Sequence, residues 1–143
     1  MRIRSIIEAL HRANQAAFAA YMSASVPGDV TPRQFAVLAA ISEKEGLSQT
    51  DLTEITGIDR STLADIVRRM HEREWLRRVR TKEDARAYSV MLTPKGADLF
   101  KKASPAVAAI DARLKDCLTQ KEQALLMGFL EKLAGTDPVR HIA

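Results

Sequence analysis

Six polar side chains fall together between positions 60 and 69: Arg60, Ser61, Thr62, Asp65, Arg68 and Arg69. Guanidinium and hydroxyl groups at this density can grip phosphate oxygens or address base edges, which is recognition chemistry and not bond cleavage. A second basic group, Arg80, Lys82 and Arg86, lies in the polar run that follows. Asp84 is repelled by phosphate, so an orienting salt bridge to Arg86 suits it better than a DNA contact. No phosphate loop, metal-ligand spacing or Ser/His/Asp set is present, and His71 and His141 have no partners that would hold a metal. No catalytic residue, metal or cofactor is therefore expected. Cys117 is the single cysteine, so it forms no intrachain disulfide and reads as structural.

The net charge is only +4, but its placement is informative. Residues 59–96 hold ten basic and six acidic side chains, which accounts for the whole excess. The segments on either side are nearly balanced, as an electrostatic footprint for nucleic acid requires. Taken alone, the charge is also compatible with a solvated face, so the pattern within the stretch must decide.

Helical spacing surrounds that stretch. Ile3, Ile6, Ile7, Leu10, Ala13, Ala17, Phe18 and Tyr21 mark a long first helix, broken by Pro27-Gly28. Thr31-Pro32 opens a second helix with Phe35, Leu38 and Ile41 on its apolar side, stopped near Gly46. Ser48 and Asp51 form a capping box for a short third helix ending at Gly57. Asp59 caps a fourth, with Ile58 and Leu63 at staple positions and Leu63, Ile66, Val67 and Met70 as its core stripe. Two short helices across a tight glycine turn predict a helix-turn-helix. Alternation then brackets the charged run: Leu76 and Val79 before it, Tyr88, Val90 and Leu92 after it, predicting a β-hairpin wing. Thr93-Pro94 starts a fifth helix, which Pro105 should kink or divide. Thr119 to Glu122 caps a last helix with Leu125, Leu126, Phe129, Leu130 and Leu133 inward.

The fold class is thus mainly α with a small β-hairpin: a winged helix-turn-helix with N- and C-terminal dimerisation helices. Residues 1–143 read as one domain, with 31–96 as the DNA-binding lobe and 1–30 and 97–143 as dimerisation segments. The terminal segments carry more apolar surface than a small lobe can cover, which predicts an obligate dimer. Arg60, Ser61, Thr62 and Asp65 occupy the helix start that reaches base edges, while Arg68 and Arg69 lie nearer the backbone. Arg80, Lys82 and Arg86 are placed to touch flanking phosphates or the minor groove.

Ser48-Gln49-x-Asp51-Leu52, Gly57-Ile58-Asp59-Arg60-Ser61-Thr62-Leu63, Asp84-Ala85-Arg86 and Leu92-Thr93-Pro94-Lys95-Gly96 together resemble the MarR (multiple antibiotic resistance regulator) family. The resemblance implies a homodimer whose first, fifth and sixth helices interlock and hold two winged lobes over a pseudo-palindromic duplex operator. It also implies regulation, usually repression, relieved by a small aromatic, carboxylate or acyl-thioester effector. Glu74 departs from the pattern, standing where relatives often have glycine, so the turn after the fourth helix is expected to be built differently.

An effector would sit in a crevice between the first, second and fifth helices, with His11, Asn14, Phe18, Phe35 and Met70 as candidate lining residues. Core packing is the simpler reading of Phe18, Tyr21, Phe35 and Met70, and surface or interface that of His11. The rival readings are a winged helix used for protein or RNA contact and an architectural DNA binder without an effector. No apolar run is long enough for a membrane span and no leader pattern is read at the start, so a cytoplasmic protein is expected.

Overall fold

The structure is a computed structural model that describes residues 2, 4–83 and 87–135. The chain forms two compact units, the first reaching Ile110 and the second starting at Asp111. Helix α1 runs Ile6–Ser23, α2 Pro32–Glu43, α3 Gln49–Thr56 and α4 Arg60–Glu72. Strands β1 (Leu76–Arg80) and β2 (Tyr88–Leu92) follow, then α5 (Pro94–Lys115) and α6 (Gln120–Ala134).

Local side-chain chemistry sets most of these boundaries. Thr31 caps α2 by accepting from the Gln34 amide, and the Gln34 side chain accepts from the Thr31 amide. Ser48 with Asp51 does the same for α3, and Thr119 with Glu122 for α6. Each box satisfies two backbone donors that the first turn leaves without helical partners. Gly57 takes the left-handed conformation that ends α3, at φ 71°.

The core of the first unit gathers Val37, Leu38 and Ile41 of α2 with Leu52 of α3, all essentially solvent-free. Leu63, Val67 and Met70 of α4 close it from another side, and Leu76 and Val90 from the hairpin. Ala103 and Ile110 of α5 join the same cluster. Tyr21 reaches it from α1, and its buried hydroxyl donates to the Val30 carbonyl at 2.6 Å.

The hairpin is antiparallel, with Leu76 opposite Leu92 and Arg80 opposite Tyr88. An isolated bridge joins Leu47 to Val90, the Val90 amide donating to the Leu47 carbonyl at 2.8 Å. That bridge ties the wing to the segment before α3, and a single residue between two helices leaves no periodic trace in sequence.

Three expectations need correction. Pro105 does not divide the fifth helix, since α5 is continuous from Pro94 to Lys115. A proline removes one donor, and the surrounding turns of a 22-residue helix supply enough other bonds to carry it through. The apolar residues of α6 are not inward in the chain by itself: Leu125, Leu126, Phe129, Leu130 and Leu133 are all exposed. Finally, the turn after α4 keeps the left-handed geometry despite Glu74, whose φ is 63°. The Glu74 amide donates to His71 and the Trp75 amide to Met70, the paired bonds of a Schellman closure.

These closing bonds and a Thr93 hydroxyl that donates to the Glu74 and Trp75 carbonyls hold Glu74 in place. A side chain at positive φ costs about 1 kcal/mol relative to glycine. Glu74→Gly should therefore stabilise the protein by up to about 1 kcal/mol, less whatever the freer unfolded chain takes back. Its exposed contact to Lys95, at 3.7 Å, is too weak to reverse that sign. A thermal melt of the variant reads the result directly.

Candidate nucleic-acid interface

Helix α4 is the centre of the site. Its inward stripe anchors it in the core, which leaves Arg60, Ser61, Arg68, Arg69 and Glu72 exposed along its outer faces. Thr62 and Asp65 are half-buried at the edge. Asp59 caps the helix, one carboxylate oxygen accepting from the Thr62 amide at 3.1 Å and from the Ser61 hydroxyl at 3.0 Å. The Thr62 side chain, then the Thr62 amide and the Ser61 hydroxyl, hold the Asp59 carboxyl down at about 2 by hydrogen bonding to its charged form. Ser61 thereby spends its one proton on Asp59, so toward an external partner it presents lone pairs. An acceptor there suits a base amino group better than a phosphate oxygen.

The depressed Asp59 value has a sign. A carboxyl with a lower folded pKa contributes stability that is fully present above its unfolded value and is lost as pH falls through the folded one. Asp59→Asn keeps a capping oxygen without the titration. The wild type should be the more stable of the two at pH 5 and should lose that margin on acidification through about 2. Denaturant midpoints at both ends measure it, and an unchanged margin would mean that the carboxylate charge is not what caps α4.

Farther along α4 the charges are paired. Arg68 donates to Asp65 at 2.5 Å and to Glu72 at 2.8 Å, and Arg69 donates to the other Asp65 oxygen at 2.9 Å. The Arg68 bond comes first among the causes that lower the Asp65 carboxyl below its usual range. Arg60, one residue past the cap, stands exposed at the helix start, where the peptide dipoles favour an anion.

In the wing, Arg80 lies over the Tyr88 ring at 5.8 Å, as their cross-strand pairing places them. Arg77 rests on the Met91 sulfur at 3.7 Å, and Arg78 is exposed between them. The Thr81 amide donates to the Ala87 carbonyl at 3.1 Å and closes the ladder below the tip, where Lys82 is exposed. Arg86 and its neighbour Asp84 lie outside the described residues. Sequence reasoning passes over Arg33, Arg77 and Arg78. A cation in the first turn of the helix before a helix-turn-helix, and two more in the strand leading to the wing, are the signals that could have marked them.

A groove of about 580 Å³ opens beside α4. Asn14 and Phe18 of α1 form one wall, and Thr31, Pro32, Arg33 and Gln34 at the start of α2 another. Thr62, Asp65, Ile66 and Arg69 of α4 form the third. Of the candidate effector residues, the structure thus brings Asn14 and Phe18 together, and it sets them against α4, where a crevice beside α5 was expected. His11 is exposed and is not on the groove wall. Phe35 packs on Phe100 at 5.4 Å between ring centres, and Met70 is enclosed in the core. Phe18, read from sequence as core, is half exposed. Cys117 is also exposed, its thiol directed at the Leu114 carbonyl.

A capped recognition helix with a cationic start, preceded by a short helix across a glycine turn and followed by a basic hairpin, defines a winged helix-turn-helix DNA-binding protein. A model of the MarR family matches residues 28–87, which hold α2, α3, α4 and β1. The chain is similar to the transcriptional regulator HosA of Escherichia coli, 33% identical over 108 residues that cover 76% of this chain and 80% of HosA. It belongs to the MarR family of transcriptional regulators. Among solved structures it resembles Bordetella bronchiseptica BpsR, whose DNA binding is regulated by 6-hydroxynicotinic acid. That match has a TM-score of 0.88 at 26% identity and covers 94% of this chain and 96% of BpsR. A mutant MarR of Escherichia coli in complex with operator DNA matches with a TM-score of 0.79 at 26% identity, over 87% of this chain and 90% of that one. No helix among the described residues is long and apolar enough to cross a membrane.

Proposed function

We propose that the protein is a sequence-specific transcriptional repressor that binds a pseudo-palindromic duplex operator as a homodimer and releases it when a small effector binds. It acts by binding and not by catalysis, in the cytoplasm. Residues 31–96 serve as the DNA-binding lobe, and the segments 1–30 and 97–143 as dimerisation elements. Arg60, Ser61, Thr62 and Asp65 address the major groove, and Arg68 and Arg69 stand near the phosphates. Arg80, Lys82 and Arg86 of the wing hold flanking backbone.

The observation that carries this reading is the cationic start of α4, with Arg60 exposed beside the Asp59 cap, in one unit with the Arg77-Arg78-Arg80 strand. The half-exposed Phe18 on the wall of the groove supports the effector, since an aromatic face open to a 580 Å³ space invites a flat ligand. Exposed apolar residues on α1 (Ile6, Ile7, Leu10, Met22) and on α6 support the dimer.

Titration against duplex DNA at several salt concentrations is the test. Counterion release predicts a log–log slope of roughly −5 or steeper for the dimer. Arg60→Ala should cost about 1 to 3 kcal/mol of affinity and relax preference at one operator position. Arg80→Ala should weaken binding evenly across sequences and flatten the slope by about one per subunit. A flat salt plot for the wild type rejects the DNA reading, and a sequence-selective effect of Arg80→Ala alone reverses the roles of helix and wing.

A further inference from the structure

Ser61 is exposed in the first turn of α4, and its hydroxyl donates at 3.0 Å to the Asp59 oxygen that also accepts from the Thr62 amide at 3.1 Å. Chemistry fixes the direction of the first bond. An ionised carboxylate has no proton to give, so the single hydroxyl proton lies on Ser61 and points at Asp59. Two lone pairs on Ser61 Oγ are what remain for an outside partner. Arg60, next in the chain, offers only donors. The helix start thus presents two groups of opposite polarity, and Asp59 sets the polarity of one of them.

In the major groove, guanine shows the acceptors N7 and O6 and thymine the acceptor O4, whereas adenine N6 and cytosine N4 carry amino donors. A serine whose proton turns freely can bond to any of the four bases and distinguishes none. With its proton held inward, Ser61 accepts from adenine or cytosine and meets a guanine or thymine oxygen with lone pair against lone pair. Phosphate oxygens are rejected on the same ground, and the Asp59 charge beside the hydroxyl repels them further.

Building on the DNA-binding reading above, we infer that Ser61 is a specificity-determining residue that selects an amino-bearing base, adenine or cytosine, at one operator position, and that Asp59 is the positioning residue that makes it selective. Asp59 does this without touching DNA.

Two substitutions separate the acceptor at position 59 from its charge. Since one carboxylate oxygen takes both bonds, Asp59→Asn keeps a carbonyl oxygen able to accept from Ser61 and the Thr62 amide, and loses only the charge. Asp59→Gly loses the acceptor, and glycine is a tolerated N-cap. Selection of duplexes from random sequence by the wild type and by Ser61→Ala marks the position that Ser61 reads. That position should hold adenine or cytosine for the wild type and become indifferent in Ser61→Ala. The selected duplex is then titrated with that one amino group deleted, purine replacing adenine or pyrimidin-2-one replacing cytosine. Deletion should weaken binding by the wild type and by Asp59→Asn about fivefold, the worth of one neutral hydrogen bond, and leave Ser61→Ala unaffected. Both Asp59 variants should bind every sequence more tightly than the wild type, having lost a charge that repels phosphate. Only Asp59→Gly should also accept guanine or thymine at the marked position.

A marked position that holds guanine or thymine overturns the inference, as does a selection that Ser61→Ala leaves unchanged. Asp59→Gly as selective as the wild type overturns the role of Asp59. Should that variant fail to fold, amino deletion tested on the wild type against Ser61→Ala still decides for or against Ser61. Absence of salt-dependent duplex binding by the wild type is a failure of the DNA reading, and the inference falls with it. Duplex binding with the wrong base at the marked position fells the inference alone.

Discussion

Replacing Gly96 by alanine is expected to destabilise the protein by about 3 kcal/mol, close to the upper end for a single added methyl group. Gly96 is buried in the first turn of α5, and a Cβ built on it would drive into the Trp75 carbonyl oxygen. Neither side can yield cheaply. The Trp75 side chain is 3% exposed, and its carbonyl accepts from the Thr93 amide at 3.1 Å. The Thr93 hydroxyl accepts from the Gly96 amide at 3.0 Å, so moving the helix start also breaks its cap. The midpoint of thermal unfolding should fall by roughly 10 °C at this chain length. A melt within a degree or two of wild type would show that the helix start and the strand entrance are not held in contact.

A charge at Phe129 should dissolve the dimer. Phe129 is 61% exposed on α6, among Leu125, Leu126 and Leu130. Burying such a ring is worth roughly 2 kcal/mol, and a twofold interface counts each substitution twice. Phe129→Glu also places a carboxylate where the partner chain would exclude water, which adds to the cost. The dimer dissociation constant should rise by about three orders of magnitude or more, from those two lost rings. Sedimentation of the variant across a concentration series reads this. A variant that stays dimeric at wild-type concentrations would remove α6 from the interface, whereas a dilute monomer with weakened operator binding would tie dimerisation to DNA affinity.

The parts of this molecule that were legible in sequence are those governed by neighbours within four residues. The caps at Ser48 and Asp59, the glycine turn at Gly57 and the core stripe of α4 all follow from side chains that satisfy or bury their own helix. The hairpin was legible for the same reason, since alternation marks its two sides. What was hidden depends on contacts across the chain. The groove wall of α1, α2 and α4 is set by how three helices pack, which no local pattern records: Asn14, Phe18 and Arg33 lie on it, where a crevice beside α5 was expected, and Met70 is sealed in the core. Glu74 misled because intrinsic preference argues against a left-handed glutamate, yet closing bonds from the Glu74 and Trp75 amides impose it. At Pro105 the local sequence left a kink or a division open, and the long helix passes through it undivided.

The base of the wing has one more consequence. Leu76 and Leu92 are paired where Thr93 is fastened to the carbonyls of Glu74 and Trp75, so both strands leave from one fixed root beside the end of α4. The hairpin is then a cantilever, and the offset between helix contacts and wing contacts on DNA is a matter of its length. Strands advance about 3.4 Å per residue, so inserting two residues in each strand moves the tip outward by about 7 Å. That distance is about two nucleotide steps along one DNA strand. Under the proposed function, wing length would thus act as a ruler for operator spacing, adjustable without altering Arg60, Ser61 or Thr62.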